Sequence, residues 1–374
     1  MEKLFINLLE TIVFDFILII LFYYLNKFVL KINQKKFLIG YYIFIIIIIF
    51  LTSIRLNVGS DFQNYVNISN FVRSYFNDNK EIILYYNIQF GFPILSKFMF
   101  FISENMYSFL WIVSIIIYCF EFKYIQKHFK SSNERFIAYI SFVVFGFFSI
   151  SLNILKQAMA MSIMLFAYDA LIEKKYSKFL IITCIATIFH ISALVGAVLY
   201  LVSLKIKFNK KNLYCSVLIG IILNFSYRFL IPIIVNNISI LSRYTKYMND
   251  LENLERVWRP LSVLSYVVLF FLLLRLIMND KKTCISNYQV LSLLMLGIPI
   301  SIMSIDNWVI NRIALYAYQF IIIIFPIYVK NNFNKKKLLL VGTVLFIWYC
   351  QFNIIGGNNN THSYDTYITN EKNN

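Results

Sequence analysis

Apolar residues fall along this chain in blocks, not in strand-like alternation or a narrow helical stripe. Tyr41 to Leu51 reads YYIFIIIIIFL with neither a charge nor a turn residue. Several blocks reach the roughly 20 residues that a helix needs to cross about 30 Å of hydrocarbon. Short basic clusters punctuate them: Lys27 to Lys36, Lys123 to Arg135, Glu173 to Lys178, Lys205 to Lys211, Asp280 to Lys282 and Lys330 to Lys337. Lysine and arginine gather in cytoplasmic loops. Placing all six clusters on that side predicts spans near 4-26, 37-54, 106-122, 136-152, 154-172, 212-235, 259-278, 287-304, 311-329 and 338-355, with both termini outside.

Two apolar segments do not fit that alternation. Residues Phe179 to Ser203 lie between two basic clusters, so one full crossing would expel Lys205 to Lys211 and invert everything after it. A hairpin of two short helices with His190 near its apex avoids this, and non-helical backbone at that depth is tolerated where protein or water satisfies it. The stretch Ile88 to Ile102 is short for a span and holds Gly91 and Pro93; it reads as re-entrant or interfacial. The path leaves loops outside near 55-87, 236-259 and 305-311, and a polar tail over 356-374 that reads as a poorly ordered end. The expectation is an all-α polytopic transmembrane bundle of about ten spans with short re-entrant or half helices, forming a single integral membrane domain over 1-374.

Composition agrees with that picture and narrows it. Hydrophobic residues are 60% of the chain and charged residues 14%, outside the range of soluble domains. The net charge of +17 would suggest nucleic acid in a soluble protein; here the cytoplasmic loops account for it, so the partner is the lipid bilayer and no nucleic acid is expected. The first apolar block carries Glu10 and Asp15 and has no small-residue cleavage site behind it, so it is expected to stay as a span. The five cysteines lack metal-like spacing, and no phosphate-binding glycine loop, zinc motif or internal repeat stands out. Neither a metal nor a cofactor is expected.

Ionisable residues beside apolar blocks are candidates for function because the bilayer makes them costly. Arg55 closes the second block and opens RLNVGSDFQNY, with Asp61 six positions on. A guanidinium at a helix mouth suits phosphate; an interfacial arginine snorkelling to headgroups is the plain alternative. Lys156, with Gln157 beside it, opens a helix in NILKQAMAMSIMLFA. The positive end of a helix dipole favours an anion there, and snorkelling is again the alternative. His190 in TIFHISAL sits mid-block and suits either proton transfer or a hydrogen bond to a buried carbonyl. Arg243 and Tyr244 lie in SRYTKYM near Arg256 and Arg259, while Asp306 to Trp308 precede Arg312 and Tyr316 in NRIALYAYQF. Cations from four separated segments thus face outward, as a diphosphate or polyanionic glycan needs and as an anionic-lipid belt would also produce.

Five segments in order, RLNVGSDFQNY, FGFPILSKF, LKQAMAMSI, FHISAL and NRIALY, resemble the EpsG family of Wzy-type bacterial polysaccharide polymerases, with RYTKY at Arg243 to Tyr247 as a weaker sixth. Two positions depart from that family: Lys156 stands where arginine is usual, and Gln89 stands where an acidic residue often precedes the GF pair. The resemblance implies a GT-C-like glycosyltransferase of the bacterial cytoplasmic (inner) membrane with its active site on the outer face. It would use undecaprenyl diphosphate-linked oligosaccharide, with no nucleotide sugar, in capsule or exopolysaccharide biosynthesis. A chain-length regulator and a flippase of the same pathway are the protein partners it suggests. By the same resemblance Arg55, Lys156 and Arg312 hold diphosphate, Arg243 orients that region, and Asp61 or His190 positions or deprotonates the acceptor. Gln157, Tyr244 and Tyr316 belong to the substrate-binding set. The competing classes are a flippase, which would call for a repeat symmetry that the sequence lacks, and a membrane O-acyltransferase, which His190 on an outward apex fits poorly.

Overall fold

The computed structural model describes residues 13-25, 37-237, 258-305, 308-331, 342-343, 345, 349 and 365-366. Its contacts divide the chain into two compact units, Met1–Leu194 with Gly357–Asn374, and Val195–Gly356. The chain is a predominantly helical membrane protein.

In the first unit the helices are α1 Val13–Leu25, α2 Phe37–Ser53, α3 Phe62–Tyr75, α4 Asn79–Tyr86, α5 Gly91–Ile102, α6 Phe109–His128, α7 Ser132–Val144, α8 Phe147–Asn153, α9 Leu155–Ile172 and α10 Tyr176–Phe189. Among the described residues α6 and α9 are each long and apolar enough to cross a membrane alone. α9 is the enclosed one, with 83% of its apolar window inside the protein against 56% for α6. Its sequence explains this: Ala158, Ala160, Ser162, Ala167 and Ala170 leave room for close neighbours, the usual device where lipid offers no hydrophobic drive between helices. α6 and α10 pack on it. Aromatic rings fill the opposite side of α6: Phe22 of α1 meets Phe44, Phe136 and Tyr139 with centroids 4.4, 5.9 and 4.9 Å away.

The block 136-152, expected as one span, is two helices bent by 54°. Gly146 makes the break. Its φ of +81° is a left-handed conformation that glycine adopts without a Cβ penalty, and its N–H caps Val143 O at 3.0 Å. All seven residues of α8 are buried.

A cluster of charged groups marks the ends of α6 and α9 where two basic clusters meet. Asp169 accepts from Tyr124 Oη at 3.0 Å and Lys127 Nζ at 2.6 Å, with His128 Nε2 at 3.1 Å. Glu173 binds Lys175 at 2.6 Å. The Lys156 end of α9 lies at the other extreme, about 25 Å away at 1.5 Å per residue.

The second unit receives α11 Ser192–Ser203 and contains α12 Lys210–Asn237, α13 Trp258–Met278, α14 Lys281–Ser286, α15 Tyr288–Met303, α16 Trp308–Tyr318 and α17 Ile321–Asn331. Here α15 packs against α12, α13 and α16. Two glycines set the approach distances. A Cβ on Gly220 would meet Ile302 at 2.8 Å, and one on Gly297 would meet the Tyr318 ring at 2.3 Å. That ring is stacked 3.8 Å from Phe270, and its hydroxyl is 3.0 Å from Ser301 Oγ. The residues of α16 and α17 form a second bent pair, at 43°.

The C-terminal tail departs from the expectation of a structureless end. Asp365 and Thr366 form a short strand, β2, antiparallel to β1, Arg55–Leu56, with Arg55 opposite Thr366 and Leu56 opposite Asp365.

Gly297→Val should lower stability by about 1–3 kcal/mol, because the enclosed Tyr318 ring cannot yield space. Gly342, with nothing within 4 Å of a would-be Cβ, should accept alanine without loss. Thermal denaturation of the two purified variants checks the contrast.

Candidate active site

The buried break between α8 and α9 organises the first unit's candidate residues. A helix that stops inside protein leaves carbonyls and N–H groups that need partners. At the end of α8, Leu152 O accepts from Arg55 Nη2 at 3.3 Å. Asn153, 3% exposed, turns its side-chain carbonyl to the loop that follows β1. Oδ1 accepts from Ser60 Oγ at 3.0 Å and from Asp61 N–H at 2.9 Å. Gly59 lets the loop come this close: its φ is +103°, and a Cβ there would stand 2.8 Å from Leu152 O. RLNVGSDFQNY and LKQAMAMSI, ninety residues apart in the sequence, are thereby docked on one another.

Each predicted residue of this unit can be placed on that frame. Arg55 is 1% exposed, and its other terminal nitrogen, Nη1, donates to Thr52 O. Asp61 is the half-buried residue before the first turn of α3. Lys156 is half-buried in the first turn of α9, and Gln157 next to it is buried. The N-terminal turn of α9, where a helix carries partial positive charge, therefore stands beside the loop that carries a carboxylate.

Two more segments join through packing. Phe92 of FGFPILSKF meets Tyr65 of the first segment at 5.3 Å. Gly91 lies against the end of α10: a Cβ would meet Ile188 Cγ2 at 2.8 Å and Phe189 Cδ1 at 2.9 Å. The next residue, His190, ends α10 in extended conformation and separates it from α11. Its Nδ1 is 2.6 Å from Ser192 Oγ and 3.3 Å from the Ser192 N–H, which can only donate. An imidazole whose Nδ1 accepts carries its proton on Nε2 when neutral. Gln89, half-buried, sits two residues before the Gly91 contact.

The second unit holds Arg312, half-buried, and Tyr316, wholly buried. The Tyr316 ring lies against Gly196, and its carbonyl accepts from Tyr200 Oη at 3.3 Å. Arg243 and Tyr244 lie outside the described residues, as do Asp306 and Asn307.

Sequence reasoning passed over Asn153 and Ser60. The available signal was an amide placed between SISL and ILKQ, in the middle of an otherwise apolar run. Among the described residues, no group of three His, Cys, Asp or Glu is arranged to hold a metal ion.

Asn153→Ala should release the loop, leaving the Asp61 N–H without its acceptor at a cost of about 1–3 kcal/mol. Hydrogen exchange should then speed up in peptides covering 57-66 while those covering 118-128 keep their protection.

A family model described as the EpsG family matches residues 38–368, from α2 through β2. No curated protein and no solved structure matches the chain. With nearly the whole length matched, and with four of the five characteristic segments meeting in its first unit, the chain belongs to the EpsG family, a family of Wzy-type polysaccharide polymerases.

Proposed function

We propose that this protein joins undecaprenyl diphosphate-linked oligosaccharide repeat units on the outer face of the bacterial cytoplasmic membrane, building capsule or exopolysaccharide. About ten spans in a GT-C-like arrangement would carry the site. The observation that supports this reading most directly is the docking of the Gly59–Asp61 loop beside the N-terminus of α9, in a chain matched over nearly its full length by this family.

The reaction breaks the bond between the anomeric carbon of the growing chain and its diphosphate oxygen, which leaves with the electron pair. A hydroxyl at the non-reducing end of the next lipid-linked unit forms the new glycosidic bond, and its proton passes to a base. Negative charge grows on the departing diphosphate, so cationic groups aimed there lower the barrier most. Lys156 and the first-turn N–H groups of α9 supply such a setting, with Gln157 beneath them. Lysine contributes a point charge, where the arginine usual in relatives would grip two oxygens at once. Arg55 acts from behind this surface by holding the Leu152 carbonyl. Arg312, Tyr316, Arg243 and Tyr244 are the remaining residues assigned to the substrate-binding set by the family pattern.

Asp61 and His190 are the two groups able to take the acceptor proton. His190 has the stronger claim in this chain, because Gln89 offers no carboxylate near it and its ring is held by Ser192. A chain-length regulator and a flippase of the same pathway would act with the enzyme. The other reading, a flippase without covalent chemistry, is separated by the first experiment.

Purified protein in lipid nanodiscs, given lipid-linked repeat units without nucleotide sugar or ATP, should produce a ladder of longer glycans. Absence of any ladder, with labelled substrate crossing proteoliposome membranes instead, would establish the flippase. Lys156→Ala should reduce the polymerisation rate about 10²- to 10³-fold, the usual effect of removing one donor from developing charge. Lys156→Arg should restore most of it. His190→Gln should lower kcat more than KM and flatten the acid limb of the pH–rate profile; an unaltered profile would reduce His190 to packing.

A further inference from the structure

The segment FGFPILSKF contributes more than a packing contact. α5 turns Phe98, Phe101 and Ile102 outward, while Phe92, Ser96 and Met99 are buried. Lys97 sits at the border of these faces. A lysine at such a place ordinarily runs its methylenes over the apolar surface and delivers its ammonium to water. This one does not: Nζ is enclosed, and it has no hydrogen-bond partner. Ion pairs are found at Asp169 and Glu173 at the far ends of α6 and α9, whereas among the described residues no carboxylate lies in ion-pair range of Lys97.

An enclosed ammonium is costly unless something compensates it. It has three donors and no acceptor, so whatever completes it must present acceptor oxygens, and its charge selects an anion. Two further enclosed polar atoms lie on α3 and α5, helices that pack together. Ser69 Oγ and Ser96 Oγ, both on residues with 0% exposure, also have no partner. A buried polar atom without a partner in a native protein calls for an explanation beyond packing. α5 is anchored to the candidate site at its first turn, through Gly91 to the His190 end of α10 and through Phe92 to Tyr65.

We propose that Lys97 is a further substrate-binding residue, whose ammonium receives an anionic oxygen group of the lipid-linked substrate at the α3–α5 side of the site. The identity of that substrate rests on the polymerase reading; the anion requirement does not. The group is either the carrier's diphosphate or an acidic function on the glycan.

The test is a thermal-shift titration of the purified full-length protein and of Lys97→Met, a near-isosteric change. Probes are inorganic diphosphate, undecaprenyl diphosphate, undecaprenol and the lipid-linked repeat unit. The diphosphate probes should stabilise the wild type, and their apparent affinity should fall about tenfold or more in Lys97→Met, as for a lost charge-assisted contact. Undecaprenol should affect both proteins alike. Without any probe, Lys97→Met should melt no lower than the wild type, since an enclosed uncompensated charge has been removed. A difference confined to the glycan-bearing substrate would support the same residue and assign the anion to the sugar. Equal responses of the two proteins to every charged probe, including no response from either, would overturn the proposal, as would a parallel loss of undecaprenol binding. Failure of the polymerase reading would appear separately, as the absence of ladders from a wild type that still binds the diphosphate probes.

Discussion

A helix that ends in an apolar interior leaves polar backbone groups that water cannot reach, and each must find a partner within the protein. The end of α8 meets this constraint with two residues. Arg55 reaches across to the Leu152 carbonyl, and Asn153 presents an acceptor to the loop of Ser60 and Asp61. The two needs are solved together, because the loop that brings Arg55 also brings the N–H that Asn153 binds. What looks like an irregular loop after β1 is therefore part of the wall of a broken helix. Its shape follows from the pairing of the buried groups at this break.

This solution prepares a place for charge. The break exposes the positive end of α9, and the next residues in sequence are Lys156 and Gln157. A helix starting at the surface would spend that dipole on water; one starting inside the protein directs it into a restricted space of lower dielectric, where it acts more strongly. The small residues of α9 draw its neighbours close, and the Asp169 cluster fastens its other end to α6. The helix is thus restrained at both ends, which the proposed group transfer would require of it.

Much of this was legible in the chain, and the limits were physical. Apolar blocks declared the membrane helices, and the basic residues near Lys127 and Lys175 declared a shared end. The interruption at His190 was readable because a polar residue in mid-block disturbs the pattern. The break at Gly146 was hidden: one glycine in FVVFGFF leaves hydropathy unchanged, although its φ bends the pair by 54°. Arg55 could be singled out, but not its burial, because the carbonyl it binds lies ninety-seven positions away. Asn153 was overlooked for the same reason, since an amide's partner in a distant loop leaves no periodic trace. The enclosure of Lys97 depends on the helices packed around α5, which no local window around FGFPILSKF contains.

The pairing of β1 with β2 has a consequence in time. Arg55 and Thr366 meet across a separation of about three hundred positions, and contacts that distant form late because the chain between them must first be ordered. All of the second unit is made between the two partners. A ribosome delivering this protein to the bilayer thus completes the sheet beside Arg55 only after the whole second unit has been made, so a copy terminated within that unit would lack the strand that pairs with Arg55.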